Sequence, residues 1–191
     1  EDRAEEAMTE VEAALAEAPG SKRALLWKLH IHLLLPHQTE MAGKALAGAL
    51  KLYPRDADFW EAGADVWRAQ GNLETALDSL NRAIDLKPGQ ADLWMKRGEI
   101  RAALSDLEGA LSDLTTAIEY DARNTEALLY RAVIRTFDGD LSKAEEDLKF
   151  PIAERPDDSL VINTQALIAY RQGKPDQALA HLRRAIGLEP R

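Results

Sequence analysis

NRAIDLKP at Asn81–Pro88 and RRAIGLEP at Arg183–Pro190 agree at five of eight positions and stand 102 residues apart. That distance is three steps of 34. Stepping by 34 from Pro88 gives Pro54, Ala122, Pro156 and Pro190; from Ala76 it gives Ala42, Ala110, Ala144 and Ala178; from Leu80, Leu46, Leu114, Leu148 and Leu182. Two invariant columns at one fixed period, without a gap, are an internal repeat, and a repeat decides the architecture before any other reading is made.

Each unit reads as two helices. The first carries Leu26, Trp60, Trp94, Leu128 and Ile162, followed four residues later by His30, Ala64, Gly98, Ala132 and Ala166. A large apolar residue followed by a small one suits a helix packed closely on a neighbour. The turn column is His37, Gly71, Ser105, Gly139 and Gly173, where glycine is favoured because the residue that ends a helix often needs positive φ. The second helix carries the alanine and leucine columns, and Ala76, Leu80, Ala83 and Ile84 form one apolar face. Proline then closes the unit, since it cannot continue a helix.

Composition bounds the function classes. The chain has 191 residues, 46% hydrophobic and 30% charged, which is a folded composition. A net charge of -9 makes nucleic acid and anionic membrane surfaces poor partners. The absence of cysteine excludes disulfides, thiolate zinc sites and cysteine nucleophiles. No run approaches the roughly 18 consecutive apolar residues that span a bilayer, so no membrane insertion is expected. The compartment stays open: cytoplasmic is favoured, and periplasmic or secreted remains compatible because the chain starts at Glu1 without methionine, as after removal of a signal peptide or upstream domain.

A large residue, a small one four later, then A-x3-L-x2-A and a closing proline at period 34 resemble the tetratricopeptide repeat. The resemblance covers repeats at 23–56, 57–90, 91–124, 125–158 and 159–191, with 1–22 resembling the second helix of a preceding unit. It implies an all-α fold, a right-handed α-solenoid of stacked antiparallel helix pairs. It also implies a concave groove, lined by the first helices, that holds an extended or helical partner segment. The groove columns are then Ala24, Asp58, Asp92, Glu126, Leu160; Trp27, Glu61, Met95, Leu129, Asn163; Ile31, Asp65, Glu99, Val133, Leu167; and Leu34, Arg68, Ala102, Thr136, Tyr170. Asp58, Glu61, Asp65, Asp92 and Glu99 form an acidic patch, flanked by apolar and aromatic residues of the first and last two repeats. Some proteins of this family grip a C-terminal carboxylate with lysine, arginine and asparagine in such columns. Here they hold no lysine, one arginine and one asparagine, so the expected partner is a protein or peptide segment with basic and apolar residues.

The departures from the pattern carry expectations of their own. Pro151 stands where the other repeats have alanine, which costs roughly 3 kcal/mol in a helix interior and predicts a kink or an early helix end near Phe150. Arg97 and Arg131 appear sixteen residues before Asp113 and Asp147, whereas the other repeats hold Leu29 with Ala45, Gly63 with Ser79 and Gln165 with His181. Arginine and aspartate arrive together, which predicts bidentate intra-repeat salt bridges. An anion-binding cluster with Arg101 and Arg135 is the alternative. His30 and His32 point about 200° apart on a helix and cannot share one ion, so histidines held structurally are expected rather than a metal site. No phosphate loop, zinc-protease motif or nucleophile elbow occurs, and neither catalysis nor a cofactor is expected.

The sequence therefore points to a non-catalytic interaction scaffold. Binding is expected to weaken with salt and with Asp58, Glu61 and Asp65 changed to alanine, while stability barely moves. Two alternatives stand beside it: self-assembly through end faces, where Leu179 and Ile186 lie in columns that a next repeat would cover, and a regulatory segment of a larger enzyme. Beginning in the middle of a repeat and ending with those columns uncovered is expected of a piece of a longer chain.

Overall fold

The computed structural model describes residues 2–35 and 37–188. Among these the chain is all-α, with eleven helices: α1 (Asp2–Glu17), α2 (Lys22–Leu34), α3 (Thr39–Leu52), α4 (Ala57–Ala69), α5 (Leu73–Leu86), α6 (Ala91–Ala103), α7 (Leu107–Tyr120), α8 (Thr125–Asp138), α9 (Leu141–Glu154), α10 (Ser159–Arg171) and α11 (Pro175–Leu188). The helices after α1 follow one another as adjacent antiparallel pairs. Pro190, the last member of the proline column, lies outside the described residues. No described helix is long and apolar enough to cross a membrane.

Local chemistry sets the boundaries. Ser21, Asp56, Asn72, Asp106, Asn124, Asp140 and Asp158 each stand before a helix and accept a hydrogen bond from a backbone N–H of its first turn. The turn column behaves as its residue types predict: Gly71, Gly139 and Gly173 have φ of 77°, 90° and 74°, and His37 and Ser105 adopt 60° and 65° at the equivalent places. The left-handed turn is thus imposed by the repeat even where the side chain disfavours it. The proline column has a further role, because Trp60 and Trp94 donate their indole N–H to the carbonyls of Pro54 and Pro88, six residues earlier.

The chain divides into two compact units, 1–100 and 101–191. In the first, Leu29 of α2, Ala42, Leu46 and Ala49 of α3, and Phe59, Ala62 and Val66 of α4 form one buried cluster. Tyr53 stacks on Phe59 at 5.2 Å and donates its hydroxyl to the Gly20 carbonyl. In the second, Leu129 and Ala132 of α8, Ala144 and Leu148 of α9, and Val161 and Ile168 of α10 form the corresponding cluster. Ala42 and Ala144 are members of the invariant alanine column, small enough for helices to approach closely.

Pro151 corrects the expectation of an early helix end. Helix α9 continues through it to Glu154; Pro151 is buried, and its carbonyl accepts the backbone N–H of Arg155. The missing proline N–H interrupts one rung of the ladder without stopping the helix.

The Arg131–Asp147 bridge forms as the spacing predicts. Arg131 donates from Nε to Oδ2 at 3.0 Å and from Nη2 to Oδ1 at 2.7 Å, and its Nη1 reaches Thr115 Oγ1 at 3.2 Å. Arg135 adds a second guanidinium to the same carboxylate at 2.6 Å. Arg101 meets Asp113 at 3.0 Å in the same way. Arg101 and Arg135, the residues of the alternative anion cluster, therefore serve as partners of buried aspartates. Arg97 lies over the Trp94 ring at 4.7 Å and donates to Asn81 Oδ1.

Candidate functional site

In the first unit the first helices are α2, α4 and α6, and the acidic columns of α4 and α6 are laced with basic side chains. Lys22, at the start of α2, bridges Asp56 and Asp58 at 2.6 and 2.8 Å, and Lys87 joins Asp58 from the end of α5. Lys96 on α6 sits between Glu61 and Asp65 of α4 at 2.8 and 3.0 Å. Arg68 reaches Glu99 at 3.4 Å and Asp65 at 3.8 Å. Neighbouring first helices are thus tied by ion pairs at each step.

The electrostatics follow from this geometry. Hydrogen bonds from Lys22 and then Lys87 hold the Asp58 carboxyl below the ordinary carboxylate range, and the bonds that Lys22 donates to Asp56 and Asp58 raise its ammonium above the usual lysine value. Burial pulls Lys96 down, but the Asp65 and Glu61 carboxylates together outweigh it, so Lys96 stays charged with its pKa raised. The acidic patch is therefore largely matched from within the fold. The expectation that Asp58, Glu61 and Asp65 could be truncated at little cost to stability is corrected: these carboxylates join helices as well as facing outward.

The apolar part of this face lies at α2. Trp27 is 53% exposed, unusually so for a tryptophan, and meets His30 edge-on at 6.3 Å. On one side of it α1 and α2 enclose a hollow of about 400 Å³, walled by Ala7, Val11 and Ala14 opposite Ala24, Trp27 and Ile31. On the other side a hollow of about 460 Å³ lies against Leu26, Trp27 and His30. Ile31 is itself buried, so it serves as the floor of the first hollow. Met95 is half-buried and lines a smaller recess of about 80 Å³ with Asp65, Arg68 and Glu99. Asp92 is exposed at the start of α6.

In the second unit the first helices are α8 and α10. Tyr170 is 67% exposed, Asn163 and Leu160 are exposed, and Val133 and Leu167 are half-buried. Leu129 is not available to a ligand: it belongs to the buried core, as Leu128 beside it is also buried. The sequence divides these two leucines between core and groove, but α8 is apolar on both sides and buries both. Glu126 is paired with Arg155 at 2.7 Å, and Thr136 is fully buried with its hydroxyl on the Ala132 carbonyl.

Of the three histidines of the first repeat, His30 meets Trp27 as described and His32 is held within the fold. His32 is buried, and its Nδ1 shares a 2.7 Å hydrogen bond with Gln38 Oε1. Among the described residues no group of three or more histidine, aspartate or glutamate side chains could hold a metal ion. What the arrangement can do chemically is present an amphipathic surface: an aromatic ledge with hollows on either side, beside an ordered array of ion pairs.

The sequence model of the tetratricopeptide repeat matches residues 38–91 and 163–191. Among solved structures, a tetratricopeptide repeat protein from Parabacteroides merdae is 20% identical, with a TM-score of 0.77 over 96% of this chain and 73% of that one. YrrB, described as a TPR protein with an unusual peptide-binding site, is 20% identical, with a TM-score of 0.67 over 94% and 92% of the two chains. MamA is 18% identical, with a TM-score of 0.68 over 79% and 88%. No curated protein sequence matches the chain. At these identities the likeness is one of fold.

Proposed function

This chain is a tetratricopeptide-repeat protein, and from that premise we propose that it is a non-catalytic scaffold that binds a segment of another protein on its first-helix face. The segment seats apolar side chains in the hollows beside Trp27 and carries basic residues that run along the neighbouring carboxylates. The observation that carries this reading is Trp27, half-exposed between hollows of about 400 and 460 Å³. Tryptophan in such a setting is a typical anchor of binding energy. The likeness in fold to a protein described as having a peptide-binding site supports the class of ligand.

Because Lys22, Lys87, Lys96 and Arg68 already match most of the carboxylates, charge acts mainly on encounter and orientation, and apolar contact supplies most of the affinity. A library of displayed random peptides, selected on this protein, tests the reading. Selected sequences are expected to combine aromatic or aliphatic residues with lysine or arginine, and to lose at least about tenfold in affinity against Trp27→Ala, a cost of about 1.4 kcal/mol. Peptides that bind wild type and Trp27→Ala equally would refute it.

A second reading rests on α11, where Leu179, Leu182 and Ile186 are 46%, 43% and 69% exposed along one helix. If this face meets another copy, sedimentation mass rises with concentration and Ile186→Lys abolishes the rise.

A further inference from the structure

The fifth repeat lacks the arginine–aspartate arrangement of the fourth, and at that place a hollow of about 300 Å³ opens between α9, α10 and α11. Its walls include Gln165, Ala169 and His181, which by the 34-residue period correspond to Arg131, Arg135 and Asp147. In the fourth repeat those three side chains fill the space with two guanidiniums on one carboxylate. The column of Ala169 makes the point alone: it reads Leu33, Trp67, Arg101, Arg135, Ala169, so only the fifth repeat has a methyl where the others have a long side chain.

The hollow keeps acceptor chemistry on its walls. Glu145 of α9 lines it, where Leu111 of α7 holds the same column one repeat earlier, so a carboxylate enters from the opposite helix as Asp147's counterpart is lost. Gln172 donates from Nε2 to Glu145 Oε1 at 2.7 Å and accepts from Lys174 Nζ at 3.0 Å, which orders the rim. Gln165 and Gln177 add amide oxygens and His181 an imidazole, the Lys174 ammonium is drawn aside onto Gln172, and Leu148, Ile168 and Ala169 form an apolar floor.

The geometry points to a guanidinium-binding site: the fifth repeat takes from a ligand the arginine head that the fourth repeat supplies from its own chain. A guanidinium is planar, carries five donors, and is weakly hydrated enough to lie on an apolar floor while its edge meets a carboxylate and amide oxygens. A lysine ammonium presents a compact, strongly hydrated charge without the planar fork that would fill the slot and lie on its apolar floor. The site is lined by α9 and α11 as well as α10, and it is independent of the Trp27 reading.

The test is a nuclear magnetic resonance titration of the whole chain with the capped peptide Gly-Arg-Gly, its Gly-Lys-Gly counterpart and free L-arginine. The arginine peptide is expected to shift the side-chain signals of Gln165, Gln172 and His181, with the lysine peptide at least about tenfold weaker. Glu145→Gln should weaken the arginine peptide by about tenfold. Ala169→Arg, which restores the fourth repeat's filling residue, should abolish the shifts. Tighter binding of the peptide than of free arginine assigns the guanidinium to a protein segment, and the reverse assigns it to a small molecule. Equal response to arginine and lysine, shifts confined to the carboxylates of α4 and α6, or no shift at about 10 mM probe would each overturn the assignment.

Discussion

Replacing Asp147 by alanine removes the carboxylate on which α8 and α9 are fastened. Its side chain is 3% exposed and accepts bonds of 3.0 and 2.7 Å from Arg131 and 2.6 Å from Arg135. Breaking a buried ion pair by deleting one partner costs about 3–5 kcal/mol, since the remaining charge is left poorly solvated. Here the guanidiniums keep other partners, Thr115 for Arg131 and the Lys143 carbonyl for Arg135, and their side chains are 13% and 20% exposed. The lower end, about 3 kcal/mol, is therefore expected, with Asp147→Asn somewhat milder because it keeps the shape. Against a typical total of about 5–15 kcal/mol this shifts a urea transition visibly. Circular dichroism is the right probe, because all four tryptophans lie in the first unit and fluorescence would not report on α8 and α9. Glu146→Gln on the same helix is the control, as its pair with Lys149 is exposed and is worth under about 0.5 kcal/mol. If Asp147→Ala costs no more than Glu146→Gln, the buried pair does not hold this repeat together and the reasoning fails.

The left-handed turn column gives paired mutations of opposite sign. Ser105→Gly and His37→Gly should each stabilise by about 0.5–1 kcal/mol, and Gly139→Ala should destabilise by about 1 kcal/mol, all read from urea midpoints. Pro151→Ala restores a ladder donor inside α9 and should stabilise by about 1–2 kcal/mol, with the thermal midpoint as the check. Asp58 has a folded pKa below its unfolded value, so its contribution is present above about pH 4 and is lost as pH falls through the folded value. The stability gap between wild type and Asp58→Asn should therefore narrow below about pH 4 in acid titrations, and a gap constant down to about pH 2 would refute the pairing.

The fold was legible because its determinants recur. The alanine and leucine columns specify close helix contacts, and the turn column specifies a backbone angle that the structure adopts at all five places. The capping residues also recur, with Asn72, Asp106 and Asp140 spaced by 34, a signal that reinforces the period. The site was less legible. Asp58, Glu61 and Asp65 read as an open acidic patch because their partners Lys22 and Lys96 lie outside their repeat, Lys87 lies at its far end, and none of the three belongs to a basic column. A period shows what each unit shares, whereas ion pairs between units depend on residues that only some units have. Leu128 and Leu129 show the other limit. Adjacent leucines on a helix packed from both sides do not reveal which one faces out, and here neither does.

The most direct test of the interaction scaffold is hydrogen exchange on the protein with and without a selected peptide. The account predicts slowed exchange in α1 and α2, around the hollow that joins Ala7 and Val11 to Trp27 and Ile31, and no slowing there in Trp27→Ala. Slowing confined to α11, with α2 unchanged, would contradict it and assign binding to the face of Leu179 and Ile186.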